Sequence, residues 1–134
     1  MRVLGCDPGE RRIGLAISVG STALPLSVIE RKEGWIEAIR AVVDHYGVEL
    51  MVVGVPLALS GSTTASTTMA HRFIAEVAAA IKVPVVEEDE RFSSRGAERA
   101  LSAAGVSMPR QRGKIDDLAA ADILQRYLDR AASD

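Results

Sequence analysis

Apolar positions at the start of the chain fall in three short runs that predict β-strands. Residues 2–7 and 13–19 are apolar runs that contain Val, Ile and Leu, and a charged turn that begins at Pro8-Gly9 joins them, as is typical of a hairpin. Residues 24–30 form a third run of the same kind. The opening of the chain therefore predicts three antiparallel strands.

From residue 36 onward the apolar spacing lengthens to three and four residues, which indicates helices. One stripe runs from Ile36 to Tyr46 and ends at Gly47, and a second recurs every four positions from Met69 to Ile81. Between and after these helices, the apolar runs at residues 49–55 and 83–88 predict two further strands, with a loop at residues 56–64. Further helices are predicted from Ser93 or Ser94 to about residue 105 and from 114 to about 132.

This order of elements predicts an α/β domain with a mixed five-stranded sheet and helices on both faces. Strands separated by helices are expected to be parallel, because a helix returns the chain to the same end of the sheet. Functional sites in such sheets lie at the carboxyl ends of the parallel strands. Asp7 ends the first strand and the acidic run at residues 87–90 ends the fifth, so both are expected at one edge.

Length and composition narrow the class of protein. A chain of 134 residues with 48% hydrophobic and 25% charged residues predicts one globular domain over residues 1–134. No apolar run approaches the ~18 residues of a membrane span, so no membrane association is expected. Cys6 is the only cysteine, which excludes an internal disulfide and favours a cytoplasmic location.

The charges are unevenly distributed along the chain. The net charge is −2, but residues 91–114 carry a balance of +5, which leaves −7 for the rest. A basic face on an acidic body is expected where a polyanion such as nucleic acid binds. The alternative is a solvated surface with charge pairs along a helix.

Two acidic residues break the pattern of the last predicted helix. Asp116 and Asp117 fall within the arc that otherwise holds apolar residues such as Ala120 and Ile123. The helix dipole favours acids in a first turn by about 0.3 to 1 kcal/mol, whereas an unpaired buried carboxylate costs several kcal/mol. Because the cost of burial exceeds the gain from the dipole, these acids are expected to have a partner, either a cation or a proton.

A divalent cation would explain why acids from distant positions share one edge. Asp7, one of residues 87–90 and one acid of the last helix would repel one another without it. Ligand sets made only of oxygen select Mg²⁺ or Mn²⁺, and two such ions about 4 Å apart support phosphodiester hydrolysis. The alternatives are that Asp7 forms an Asx turn and that residues 87–90 are a solvated strand end.

Four motifs in order also resemble the YqgF/RuvX family of Holliday-junction-resolvase-like proteins. They are Asp7-Pro8-Gly9 with residues 12–16 (RIGLA), residues 54–57 (GVPL) with Gly61, residues 89–94 (DERFSS) and residues 114–120 (KIDDLAA). The resemblance covers essentially the whole chain. It implies a three-layer ribonuclease H-like fold and a metal-dependent nuclease whose catalytic and metal-binding residues are Asp7, Glu90 and Asp116. It selects Asp116 over Asp117 and leaves Asp89 as the substitute for Glu90.

The resemblance further implies a nucleic-acid substrate. Family members are associated with trimming the 5′ end of precursor 16S ribosomal RNA and with resolving branched DNA, and the first is the favoured function here. A junction resolvase would act as a homodimer, whereas RNA processing is compatible with a monomer. The basic residues expected to bind nucleic acid are Arg91, Arg95, Arg110, Arg112 and Lys114.

Two other functions are compatible with parts of the pattern. Sugar kinases and actin-like ATPases also begin with a strand that ends in Asp-x-Gly, but they need a second domain for which 134 residues leave no room. A nucleic-acid-binding module without catalysis would retain the acidic residues at an unexplained cost in stability.

Overall fold

The computed structural model describes residues 1–91 and 116–133, except the side chains of Asp116 and Asp117. The helix predicted after Ser93 or Ser94 lies outside these residues, as do Arg95, Arg110, Arg112 and Lys114. The described elements are β1 Val3–Pro8, β2 Arg12–Val19, β3 Thr22–Glu30, α1 Trp35–Tyr46, β4 Leu50–Val55, α2 Ala65–Ala80, β5 Val85–Asp89 and α3 Asp116–Ser133.

The five strands form one mixed sheet in the order β3-β2-β1-β4-β5. β1, β2 and β3 are antiparallel neighbours, whereas β4 is parallel to β1 and β5 is parallel to β4. The predicted mixed sheet is therefore confirmed. β5 begins two residues later than predicted, because Pro84 has no backbone N–H to donate to a neighbouring strand.

Alternate residues of the central strands face opposite layers of the domain. Leu4, Cys6 and Met51 pack on one face in a cluster with side chains of α1 and α2, including Phe73 and Val77. On the other face, Val3 and Val52 pack against Ala120, Ile123 and Leu124 of α3. Helices thus cover both faces of the sheet, as the three-layer architecture requires.

Glycine allows α3 to lie directly on the sheet. A Cβ on Gly5 would lie 2.7 Å from the Cβ of Leu124 and 3.1 Å from the carbonyl oxygen of Ala120. Any larger residue in β1 at this position would force the helix outward. The close contact brings the backbone of α3 next to β1, the strand that carries Asp7.

On the opposite face, α1 ends at the predicted glycine and α2 follows the predicted loop at residues 56–64. α1 ends at Gly47, whose φ of 63° is readily adopted only by glycine and whose N–H donates to the carbonyl of Val43. α2 begins after Thr64, which forms a reciprocal capping box with Thr67. No helix among the described residues is long and apolar enough to span a lipid bilayer.

Candidate active site

Asp7 lies near the carboxyl end of β1 and is held by strands on both sides. It pairs with Gly14 of β2, and the parallel register of Cys6 with Val53 brings it level with Gly54 of β4. Its exposure is only 4% although β1 ends one residue later. A carboxylate is thus kept in a defined, poorly hydrated position at the edge of the sheet.

The turn after Asp7 is closed by backbone hydrogen bonds. Gly9 donates its N–H to the carbonyl of Arg12 at 2.8 Å, and the guanidinium of Arg31 donates to the carbonyl of Gly9 at 3.1 Å. These contacts fasten the β1–β2 turn to the end of β3. They do not use the carboxylate of Asp7.

The acidic run of β5 divides between the two faces of the sheet. Glu88 and Glu90 are 2% and 0% exposed and lie on the face covered by α3, because they follow Val86 of the α3 cluster at intervals of two. Glu87 is exposed and lies 3.0 Å from the ring of His71. Apolar and polar patterning alone could not distinguish these four acids, which the family resemblance narrows to Glu90 with Asp89 as substitute; strand alternation separates all four.

Asp89 differs from Glu90 in its surroundings, because it forms an ion pair with Arg91. Its carboxylate accepts hydrogen bonds from the guanidinium and the backbone N–H of Arg91, at 2.9 and 2.8 Å. Burial alone would raise the pKa of Asp89, but the hydrogen bonds and positive charge of Arg91 outweigh it and hold that pKa below its usual value. Arg91 also approaches the loop after β4, where a Cβ on Gly61 would lie 2.9 Å from its guanidinium.

The carboxylate of Glu90 folds over Gly54. A Cβ on Gly54 would lie 2.7 Å from Oε1 and 3.0 Å from the carboxyl carbon of Glu90. Gly54 lies level with Asp7 on the adjacent strand, and neighbouring strands are about 4.8 Å apart. Glu90 therefore covers the backbone directly beside Asp7. Two of the three predicted catalytic residues therefore lie side by side on the face that α3 covers.

The third predicted residue, Asp116, is the first residue of α3. Gln125 of α3 accepts a hydrogen bond from Ala23 in the β2–β3 hairpin, at the amino end of β1, whereas Ala120 lies over Gly5. α3 therefore runs opposite to β1, and its first turn is directed toward the carboxyl end of β1. The backbone start of α3 and Asp7 thus share one edge of the sheet, although the side chain of Asp116 is outside the described part.

Sequence reasoning missed a buried ion pair two residues before Glu90. Both terminal nitrogens of the Arg130 guanidinium donate to the carboxylate of Glu88, one of them at 2.7 Å, and Nε of Arg126 lies 3.9 Å from that carboxylate. Arg126 is partly exposed, and its long side chain turns back toward the buried carboxylate. The available signal was a glutamate at an inward position of β5 together with two arginines spaced i, i+4.

The donors at this edge fit a hard divalent cation. The carboxylates of Asp7 and Glu90 offer oxygen only, which is the ligand type that Mg²⁺ and Mn²⁺ prefer. No set of three or more acidic, histidine or cysteine side chains within residues 1–91 and 118–133 is grouped closely enough to hold a metal ion. A third carboxylate would have to come from outside that part of the chain.

Comparisons with known proteins give one consistent result. A family model described as "RuvX: Holliday junction resolvase" matches residues 1–130. The chain is 42% identical over 135 residues to a Geobacillus kaustophilus protein named "Putative pre-16S rRNA nuclease", covering 96% of this chain and 98% of the relative. A relative of the same name from Anaeromyxobacter is 44% identical over 133 residues, covering 96% and 97%.

Solved structures show a similar fold at low sequence identity. Thermus thermophilus RuvC in complex with a Holliday junction substrate superposes with a TM-score of 0.55 at 19% identity, covering 98% of this chain and 96% of that one. Fowlpox virus resolvase gives a TM-score of 0.56 at 12% identity, covering 98% and 99%. These likenesses confirm the predicted ribonuclease H-like fold.

Proposed function

The chain belongs to the RuvX family, and from this we propose that it is a divalent-metal-dependent nuclease that processes the 5′ end of precursor 16S ribosomal RNA. Two relatives that are 42% and 44% identical to this chain over nearly their full length are named "Putative pre-16S rRNA nuclease". We further propose that residues 1–134 act as a single nuclease domain in the cytoplasm.

One observation carries the proposal: the buried carboxylate of Glu90 covers Gly54, the residue of β4 that lies level with buried Asp7. Asp7 and Glu90 are almost completely buried, and Gly54 leaves the space that Glu90 occupies. Like charges so close are unfavourable unless a cation or a proton compensates them. In our proposal Asp7, Glu90 and Asp116 are the catalytic and metal-binding residues.

In this proposal each of the three carboxylates is a metal ligand from a different part of the fold. Asp7 supplies a rigid ligand, because its backbone is paired with β2 and lies beside β4. Glu90 supplies a second ligand from the end of β5, and Asp116 would supply the third from the start of α3. Bound there, Mg²⁺ or Mn²⁺, as two ions, would activate water and stabilise the leaving oxygen of the phosphodiester.

The basic residues would hold the nucleic-acid backbone next to these carboxylates. Arg91 follows Glu90 directly and is only half-buried, so its guanidinium could exchange Asp89 for a phosphate. Arg95, Arg110, Arg112 and Lys114 follow in the same basic segment of the sequence and are proposed to extend this contact.

Cleavage of a substrate panel tests the proposal. The purified protein is incubated with Mn²⁺ and a precursor 16S RNA fragment, a linear DNA duplex or a four-way DNA junction, and the Asp7→Asn variant serves as the inactive control. We expect specific cleavage of the RNA that chelation by EDTA abolishes. Binding of RNA without cleavage would overturn the nuclease assignment and leave a binding module.

Resolution of branched DNA is the second candidate, because the matching family model is described as a Holliday junction resolvase. Paired, symmetric cuts in the four-way junction with no cleavage of the RNA would favour it. That reaction requires two active sites, so light scattering on the same sample should then show a homodimer, whereas a monomer fits RNA processing.

A further inference from the structure

We propose that the ion pair of the buried Glu88 carboxylate with Arg130 and Arg126 is a clamp that positions the metal site, so that Glu88 and Arg130 are positioning residues and not ligands. This inference rests on the proposed function, because it concerns how the start of α3 and Glu90 are held together. The clamp consists of these three residues.

The clamp connects the helix to the strand that leads into Glu90. α3 packs mainly over β1, β2 and β3, whereas β5 is at the far edge of the sheet. Arg130 lies in the last turn of α3 and reaches β5 through two hydrogen bonds to Glu88. Its guanidinium also lies 5.7 Å from the ring centroid of Tyr127, which restricts its orientation.

The position of the clamp in the sheet relates it directly to the predicted ligands. Glu88 pairs in register with Gly54, the residue that Glu90 covers and that lies level with Asp7. A shift of α3 relative to β5 would therefore change the distance between its first residue, Asp116, and Glu90. Two hydrogen bonds between the planar guanidinium of Arg130 and the planar carboxylate of Glu88 fix both distance and orientation, which a purely apolar contact does not.

The energetics of burying Glu88 favour a positioning role. Removing a carboxylate from water costs about as much as its attraction to nearby arginines returns, although the Arg130 side chain itself stays 55% exposed. Glu88 is 2% exposed, so this cost applies to it in full. The two arginines also neutralise Glu88, which keeps it from competing with Glu90 as a ligand two residues away.

The double variant Glu88→Met with Arg130→Met tests the clamp without changing the net charge near the site. Mn²⁺ binding in the absence of substrate is followed by the loss of the electron paramagnetic resonance signal of free Mn²⁺. We expect the double variant to fold with a melting temperature near that of the unaltered protein but to bind Mn²⁺ about tenfold more weakly, as is typical when outer-shell partners of ligands are lost. Arg72→Met, at an exposed site of α2 on the opposite face, controls for the loss of one arginine and should bind Mn²⁺ as the unaltered protein does.

The single variant Arg130→Met separates positioning from simple electrostatics. Loss of a positive charge near the site would tighten Mn²⁺ binding by attraction alone. The clamp predicts the opposite, weaker binding, together with faster hydrogen exchange of the Ala120–Leu124 backbone. If this variant does not fold, the double variant still decides the question.

The outcomes distinguish the clamp from the function on which it rests. Failure of the unaltered protein to bind Mn²⁺ would refute the metal-dependent nuclease. Equal Mn²⁺ binding by the unaltered protein and the double variant would refute the clamp alone, as would tighter binding by Arg130→Met.

Discussion

Replacing Gly54 with alanine adds one methyl group at the centre of the candidate site. Its carbon would lie 2.7 Å from Oε1 of Glu90 and 3.0 Å from the carboxyl carbon, and it would also collide with Cδ1 of Ile123. Carbon and oxygen atoms without a bond between them do not approach so closely. The Glu90 carboxylate, or α3 with Ile123, must therefore move by several tenths of an ångström or more.

The size of the effect follows from this collision. Overpacking of a well-filled interior by one methyl group typically costs about 1 to 3 kcal/mol. For a domain of this size a loss of about 2 kcal/mol lowers the melting temperature by about 8 °C. Displacing a catalytic group by about 1 Å can reduce the rate by about 100-fold, so activity should fall far more than stability.

The assay compares Mn²⁺-dependent cleavage and thermal unfolding in two glycine variants. Gly20→Ala is the matched control, because Gly20 adopts a φ of 61° and no atom lies within 4 Å of the added carbon. Alanine there costs about 1 to 2 kcal/mol of backbone strain in a hairpin at the other end of β1. We expect both variants to melt at lower temperature but only Gly54→Ala to lose cleavage.

A third variant separates the two collisions. Ile123→Val combined with Gly54→Ala removes the clash with Ile123 and leaves the clash with Glu90, so stability should partly return while cleavage stays low. Full activity of Gly54→Ala, or equal loss of activity in Gly20→Ala, would contradict the view that Gly54 positions Glu90.

Four further predictions concern other residues. Asp7→Asn should abolish metal-dependent cleavage and leave the melting temperature equal or higher, because crowding of like charges is relieved; an unfolded variant would mark Asp7 as structural. Replacing Arg110 and Arg112 with alanine should weaken nucleic-acid binding and reduce its log-log salt slope by about 1.5 to 2, and an unchanged slope would remove both residues from the interface. Burial, and secondarily the charge of Asp7, raises the pKa of the Cys6 thiol, so a disulfide reagent at about pH 8 should label it only on unfolding; rapid labelling of the folded protein would refute this. Because the pKa of Asp89 is lower in the folded state than its ordinary 3.8, the ion pair with Arg91 stabilises the protein above that pH, and this stability is lost as pH falls through the folded pKa; Asp89→Asn should therefore reduce the fall of the melting temperature below about pH 4, and an unchanged fall would contradict this.

The order and type of the described elements could be predicted from local patterns. The turn at Pro8-Gly9, the helix end at Gly47 and the loop before Thr64 each depend on residues with strong preferences of their own. The Pro8-Gly9 turn also marks the end of the first strand. The expectation that Asp7 lies at the carboxyl-end edge of the sheet therefore needed no tertiary information.

The roles of neighbouring acids could not be predicted in this way. Glu88, Asp89 and Glu90 are similar in sequence but differ in the structure: Glu88 is paired with α3, Asp89 with Arg91, and Glu90 covers Gly54. Their environments depend on which face of the sheet each side chain reaches and on what packs there. The register between β4 and β5 decides this, and a shift by one residue would exchange the faces.

The sequence by itself determined the order of strands and helices and the strand ends at which the acidic residues lie, because periodicity and turn residues act over a few neighbouring positions. Only the tertiary structure decided that Glu90 joins Asp7 and that Glu88 holds α3, because those contacts join strands and a helix that are distant along the chain. The physical reason is that a side chain's surroundings depend on strand register and helix packing, which no short segment specifies alone.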